Sequence, residues 1–572
     1  MMNRIFSFCA VFALLAFSGC GDKKPARPLP ASEPSPGAEG NTATAPAAVV
    51  KLTFTYGSEK DAWLKAATQA FHNAGIRTAS GAGIQVSLLP MGSGDCVREA
   101  LDGTRKVDLI SPASEAFIRL GNAERRNKAN TDLVEKTDAL VLSPVVIAMW
   151  QPMAEALGWP NKPIGWKDIL ALAKNPKGWA GYDHPEWGEF KFGHTHPEYS
   201  NSGLISALAM NYAAVQKTHG LSSDDINAAP TQKFVEEIEA AVIHYGESTG
   251  FFAKKMADNG PSYLSAAVLY ESSILETRQP DVARKLAFPI VAIYPAEGTF
   301  WSDHPVGIVS REWVTPEKRE AAKKYIEFLL GNEAQRLAAG FGFRPSDPSI
   351  ALPETFNRTN GVDAQEPKTT LEVPAAPEIS AVLESWKNNK KRSEITLVID
   401  TSGSMKEDDK LVHAKDGAVA FINQLHDKDI FSCLAFSATM RWLGDGEDVG
   451  PKREMMNNRV RGLIEGGGTA LYDSILSAYE HIATRKSDVS RIRAIVVLTD
   501  GADTESHITL AQLVGRIRIS NENTSVRVFT IGYGKDADQS VLSKIANATG
   551  GKSYVGTTTN ITAILKEIST FF

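Results

Sequence analysis

The sequence predicts an α/β protein with two units in series, the second a doubly wound sheet, and three observations carry that expectation. Short apolar, β-rich runs alternate with amphipathic segments along nearly the whole chain. Glycine and small hydroxyl residues recur directly after those runs, where the next element would begin. A proline-containing stretch over 351–390, with few core-forming runs, separates a longer first unit from a shorter second one. The 572 residues allow three or four compact lobes.

The chain opens with Met1-Met2-Asn3-Arg4, an apolar stretch from Ile5 to Phe17, and Ser18-Gly19-Cys20. A basic start, an apolar core and small residues before a break predict a secretory signal peptide over 1–20. Phe17-Ser18-Gly19-Cys20 resembles a bacterial lipobox, with Phe17 where an aliphatic residue is usual, and the resemblance implies lipidation of Cys20. Residues 21–50 are rich in Pro, Ala, Gly and Ser and cannot bury a core, so they read as a disordered tether. No later stretch is long and apolar enough to span a bilayer. The expected location is the cell envelope, outside the cytoplasm, with the protein held to a bacterial membrane by its N-terminal lipid. Cys96 and Cys433 fall in different units, so both are expected to be reduced and buried. A net charge of -6 is small for this length, and the basic run Lys387–Arg392 has no interleaved aromatics, which argues against a nucleic-acid partner.

The first unit, 51–350, repeats one grammar. Val50 to Tyr56 alternates like a strand, runs into Gly57-Ser58 and is followed by a helix-like segment from Glu59 to His72. Ile84–Leu89 leads to Gly92-Ser93-Gly94-Asp95, and Val107–Ile110 leads to Ser111-Pro112-Ala113-Ser114. Leu140-Val141-Leu142-Ser143-Pro144 then opens Val145–Trp150. Helix starts with free backbone amides suit anionic or polar ligands. Ser200 and Ser202 precede an apolar helix and offer a cap beside free donors. Val268-Leu269-Tyr270-Glu271-Ser272 repeats the strand-then-polar theme. His194, His196 and Glu198 lack a fourth donor and read as loop-shaping residues, and Trp159, Trp166, Trp179 and Trp187 as packing residues. With Gly193-His194-Thr195, Ser200-Asn201-Ser202-Gly203, Tyr270-Glu271 and Gly342-Phe343-Arg344-Pro345, this unit resembles the two-lobed bacterial extracellular solute-binding proteins (type II periplasmic-binding fold) that serve molybdate, sulfate or phosphate uptake. The resemblance implies crossings between lobes near Ser143–Trp150 and Phe288–Tyr294. It also implies a small solute or oxyanion between Ser58, Ser93 and Ser114 on one side and Ser200 and Ser202 on the other, with Ser143 and Glu271 as further candidates.

Residues 351–390 are expected to be a semi-rigid spacer, with one amphipathic helix over Ile379–Asn389. In the second unit, 391–572, strands are expected near 394–400, 430–437, 493–499 and 525–532, and helices near 409–425, 470–484, 508–519 and 558–570. Ligands of such sheets collect beyond the carboxyl ends of the strands. Three separate loops deliver Asp400-Thr401-Ser402-Gly403-Ser404, Gly466-Gly467-Gly468-Thr469 and Thr499-Asp500-Gly501 to that edge. Asp400, Ser402, Ser404, Thr469 and Asp500 together are hard oxygen donors suited to Mg²⁺, with Mn²⁺ or Ca²⁺ as alternatives. The D-x-S-x-S, Thr and T-D-G pieces resemble the metal-ion-dependent adhesion site of a von Willebrand factor A domain. That resemblance implies direct coordination by Ser402, Ser404 and Thr469, action partly through water for Asp400 and Asp500, and one position left for water or an acidic residue of a partner protein.

No Gly-x-Ser-x-Gly elbow and no His-Glu-x-x-His is present, so an enzyme is not expected. Two functions remain: an envelope binding protein whose metal site captures a partner, or a solute receptor of a membrane transport system docked through its metal domain.

Overall fold

The structure is a computed structural model and describes residues 48–246, 248–485, 491–517, 526–569 and 571–572. Cys20, the signal peptide and the tether up to residue 47 lie outside the described residues. Val49–Gly57 is already a strand, so ordered structure begins inside the stretch expected as tether.

The first lobe is a five-stranded sheet in the order Gly83–Met91, Val49–Gly57, Leu109–Ser111, Pro305–Val309, Val134–Ala139. Its first three strands are parallel, and Pro305–Val309 runs antiparallel to both neighbours. Leu52, Phe54 and Tyr56 point one way along Val49–Gly57 and pack with Trp63, Phe71 and Tyr325 from the helices that cover it. Ser114 starts helix Glu115–Ala129 as its cap, accepting a hydrogen bond from the Ala116 amide.

The second lobe centres on Val141–Trp150, which pairs with Ala266–Tyr270, Ile290–Ile293, Trp301–Ser302 and Arg344–Pro345. Beyond Ala266–Tyr270 lie Phe192–Thr195 and Val242–Gly246. The chain therefore crosses from the first lobe at Leu140 and returns through Asp303-His304, between Trp301–Ser302 and Pro305–Val309. Both expected crossings, Ser143–Trp150 and Phe288–Tyr294, lie within the second lobe instead. The reason is physical: an unbroken apolar run reads the same whether it links lobes or is buried on both faces of a sheet. Trp166 and Trp179 are fully buried in this lobe's core, with Trp159 and Trp187 packed partly buried against it.

Residues 351–390 do not form a spacer. The Gly361 carbonyl accepts from Ala292, and Thr299 and Leu371 exchange backbone bonds with Thr369 and Thr299. Arg344 donates to the carbonyls of Asp363, Ala364 and Glu366. Helix Ala376–Asn389 then buries Ile379, Val382 and Trp386, packing on Asn201–Val215 of the second lobe and on Glu115–Ala129 of the first. The prolines here shape a tight peptide wrapped on the lobe; composition alone does not separate that from an extended linker.

The second unit is a six-stranded sheet in the order Met440–Asp448, Ile430–Phe436, Ser393–Asp400, Ile492–Thr499, Arg527–Tyr533, Ser553–Gly556. Every pairing is parallel except that of the edge strand Met440–Asp448. Helices Lys410–Gln424, Leu471–Thr484, Leu510–Ile517 and Ile561–Ser569 stand near their expected places. Met440–Asp448, Val449–Arg461, Gln539–Ala548 and Ser553–Gly556 are additional. The parallel strands start beside the second lobe and end away from it. At the starting end Glu198 pairs with Lys387 at 2.8 Å, the Trp386 ring meets His196 at 4.7 Å, and Arg527 lies over Tyr263 at 5.2 Å. Phe571 and Phe572 are buried there against Phe529, and the Lys390 ammonium donates to the Phe572 carbonyl. Residues 48–572 accordingly make one compact unit.

Candidate metal centre and interlobe cleft

Strands Ser393–Asp400 and Ile492–Thr499 are adjacent and in register, with Ile399 opposite Leu498, so Asp400 and Asp500 emerge side by side at one sheet edge. Both carboxylates are fully buried. Asp400 accepts from the Ser402 amide at 2.7 Å and from the Thr499 hydroxyl at 2.6 Å. The Ser402 and Ser404 hydroxyls lie 3.1 Å apart, and Ser404 donates to Asp500 at 2.8 Å. The glycine loop is stitched to the first loop by the Gly403 amide on the Gly467 carbonyl and the Gly466 amide on the Thr401 carbonyl. Gly466 and Gly467 have φ of 159° and 89°, and the turn at Gly467 needs the freedom glycine gives. The turn brings Thr469 to the third loop, where a Cβ at Gly501 would lie 3.9 Å from the Thr469 hydroxyl. All five expected residues thus converge, and every donor among them is oxygen. Among the described residues no group of three or more His, Cys, Asp or Glu side chains stands out as a metal cage, because this site has only two carboxylates and completes itself with hydroxyls.

Burial raises the Asp400 pKa above the usual carboxylate range, and the charge of Asp500 adds to the rise. Such a pair calls for a cation. Lys410, which the sequence reading missed, supplies one: its ammonium lies 2.8 Å from Asp500 and 3.6 Å from Glu407. Burial works against that ammonium, but the hydrogen bond and charge of Asp500 prevail and its pKa is raised.

The expected solute residues divide by what their side chains already do. Ser93 accepts from the Ala113 amide and Ser114 caps its own helix, so both are committed to backbone within the first lobe. Ser143 pairs with the hydroxyl and amide of Ser272. Glu271 is held by Arg344 at 2.6 and 2.8 Å and by the Tyr294 hydroxyl, a buried ion pair joining the sheet to the wrapped segment. Ser200 and Ser202 share Thr249 at 3.3 and 3.0 Å, and Ser202 also meets Thr195 at 2.8 Å. Ser58 faces this group, with its hydroxyl 3.2 Å from a Cβ placed on Gly250. Asn201 donates to Tyr270 and Ser302, both at 3.0 Å. Ser58, Ser200 and Ser202 therefore converge between the lobes, while Ser93, Ser114, Ser143 and Glu271 hold its walls. His194 lies within strand Phe192–Thr195 and pairs there with buried Glu239 at 2.9 Å, so it braces the sheet and not a loop. The His196 ring accepts from the Glu198 amide at 3.2 Å and shapes the loop beyond the strand. Cys96 and Cys433 are free and buried, and burial pushes both thiols up to about 12.

Comparison with known proteins agrees with this division of the chain. The profile of the bacterial extracellular solute-binding proteins matches residues 52–344, and that of the von Willebrand factor type A domain matches residues 394–570. An uncharacterized protein of Mycobacterium tuberculosis is 22% identical over 457 residues, which is 74% of this chain and 62% of that protein. The chain thus spans less than two thirds of that curated relative's length. Among solved structures, the sulfate-binding protein SubI from Mycobacterium tuberculosis aligns over 55% of this chain and 93% of its own, at 21% identity and a TM-score of 0.37. A von Willebrand factor type A protein from Catenulispora acidiphila aligns over 32% of this chain and 42% of its own, at 23% identity and a TM-score of 0.28. The chain belongs to the bacterial extracellular solute-binding proteins and carries a von Willebrand factor type A domain behind its solute-binding one.

Proposed function

We propose that this is a non-enzymatic binding protein of the cell envelope that uses its C-terminal domain to capture an acidic side chain on a partner protein through a divalent cation. The observation that carries the reading is the convergence of Asp400, Ser402, Ser404, Thr469 and Asp500 from three loops at one sheet edge. An oxygen-only donor set with two buried carboxylates fits Mg²⁺, with Mn²⁺ or Ca²⁺ as alternatives. A cation held by these residues would supply the localised positive charge that an acidic side chain of a partner needs. The protein's own residues do the rest. Thr499 and the Ser402 amide fix Asp400, Ser404 ties the first loop to Asp500, and the glycine loop sets Thr469. Membership of the extracellular solute-binding proteins supports a place outside the cytoplasm. Among the described residues no helix is long and apolar enough to cross a membrane. Attachment through a lipid on Cys20 belongs to the same proposal.

The test is thermal melting and affinity capture from envelope extracts, with Mg²⁺ or chelator, comparing the natural protein with Asp400→Ala. A rise in melting temperature with Mg²⁺, and a captured partner released by chelator, are expected for the natural protein alone. Equal melting and equal capture under all conditions would sink the proposal.

A further inference from the structure

The strand Val49–Gly57 ends at the interlobe cleft, and the short turn Ser58–Lys60 follows at its rim. Ligands of an α/β sheet are expected at this place. What the structure shows there is a carboxylate of the chain itself. Glu59 folds back over Gly57 so closely that a Cβ on Gly57 would lie 2.3 Å from its oxygen, and its side chain is only 5% exposed. Lys60, with no exposed side-chain surface, donates to that carboxylate at 2.7 Å. The His304 ring nitrogen Nδ1 lies 3.2 Å from the same oxygen and 3.1 Å from the Lys60 ammonium. His304 belongs to the return crossing between the lobes and has φ of 40°, a left-handed conformation uncommon for histidine. On the facing side stand Gly250, 3.5 Å (from an added Cβ) to the Glu59 amide, and the Tyr270 ring, 5.6 Å from that of His304. Around them three buried polar atoms have no partner: the Ser58 hydroxyl, His304 Nε2 and Asn201 Oδ1. The lobes also meet directly, the Gly94 amide donating to the Tyr199 carbonyl at 2.9 Å.

We infer that the Glu59 carboxylate is a built-in ligand of the solute cleft. It occupies the anion position at the first-lobe side of the cleft, with Lys60 and His304 as its receptors. A buried carboxylate needs a cation and hydrogen-bond donors, and Lys60 with His304 provide both. The same pair would hold one carboxylate oxygen of a small free anion equally well, so the natural protein refuses such anions and the cleft becomes a carboxylate site only when Glu59 is shortened. Nothing in this inference depends on the metal centre.

The experiment is thermal melting of the full chain in acetate or formate against chloride at constant ionic strength. The natural protein should be indifferent to the exchange. Glu59→Ala should melt lower and recover saturably, by roughly 1–2 °C at an acetate concentration about ten times its dissociation constant. Glu59→Gln, whose amide fills the same space, should melt lower without recovery. A folded Glu59→Ala that ignores both carboxylates, or a natural protein that responds as much as the variant, overturns the inference. Should Glu59→Ala fail to fold, Lys60→Met decides. The double variant with Glu59→Gln must melt above Lys60→Met alone, and a double variant no better than the single one overturns the inference.

Discussion

Lys410 and Asp500 form a nearly buried ion pair at the one place where a cation is also proposed, so the two positive charges compete for one carboxylate. Breaking a buried pair by removing one partner costs about 3–5 kcal/mol. Lys410→Met should therefore lower the stability of the metal-free protein by about 3 kcal/mol. The gain in melting temperature on adding Mg²⁺ should be larger in the variant than in the natural protein. Melting curves with and without Mg²⁺ check both points, and a smaller gain in the variant would contradict the competition. Little in the local sequence marks Lys410. Asp408-Asp409-Lys410 reads as a solvated helix start, and the inward turn comes from the left-handed φ of 51° and 54° at the two aspartates. Asp400 and Asp500, by contrast, were legible because each closes an apolar run. His304 allows a second residue-scale prediction. Burial, and then the Lys60 charge, hold its pKa down to about 4 against the pull of Glu59. Its neutral form is favoured in the folded protein, so its contribution is complete above the unfolded value of about 6.5 and is lost as the pH falls toward 4. His196 and His244 are also held well below their ordinary value by burial and add to the same loss. Urea midpoints measured from pH 7 to pH 4 should fall steeply, and less steeply in His304→Gln. Glu59, lowered to about 2, keeps its contribution above its unfolded value of about 4.5 and begins to lose it only below that.

Helix Ser93–Asp102 and the loop before Asn201–Val215 meet across the cleft with no room for a side chain. A Cβ on Gly94 would lie 2.0 Å from the Glu198 carbonyl. Gly94→Ala should force the lobes apart, seen as a larger radius of gyration in small-angle scattering and a lower melting temperature. An unchanged radius would mean that the contact does not set closure. The same loop carries His196 against Trp386, so the element that closes the cleft also bears on the helix leading into the C-terminal domain. Truncating a buried tryptophan costs about 3–5 kcal/mol. Trp386→Ala should approach that loss in urea unfolding and expose residues 351–390 to protease. At this scale the sequence was readable where elements are apolar and periodic, as in Ser393–Asp400 and Ile492–Thr499. It was not readable at Met440–Asp448, an edge strand with charges and two glycines, because such strands carry polar residues that blunt their open side. Nor did alternation place the crossings between lobes, since Val141–Trp150 is buried almost throughout and shows no period to read.

Across the whole molecule the two domains share a packed junction rather than a hinge. Glu198, Lys387, Trp386, Tyr245 and the Phe571–Phe572 pair all meet there. The two domains were legible from sequence, and their fusion was not, because its buried contacts are scattered over residues far apart in the chain. The polarity of the central sheet gives this arrangement a mechanical meaning. Its parallel strands begin at the junction and finish at Asp400 and Thr499, roughly 25 Å further on for an eight-residue strand. A pull between the solute-binding half and anything gripped at the far edge runs along the strands. It loads their ladder of hydrogen bonds in shear, all at once, where a crosswise pull would unzip them singly. On the proposed function, a partner held at that edge would pull on the solute-binding lobes along the direction of these strands.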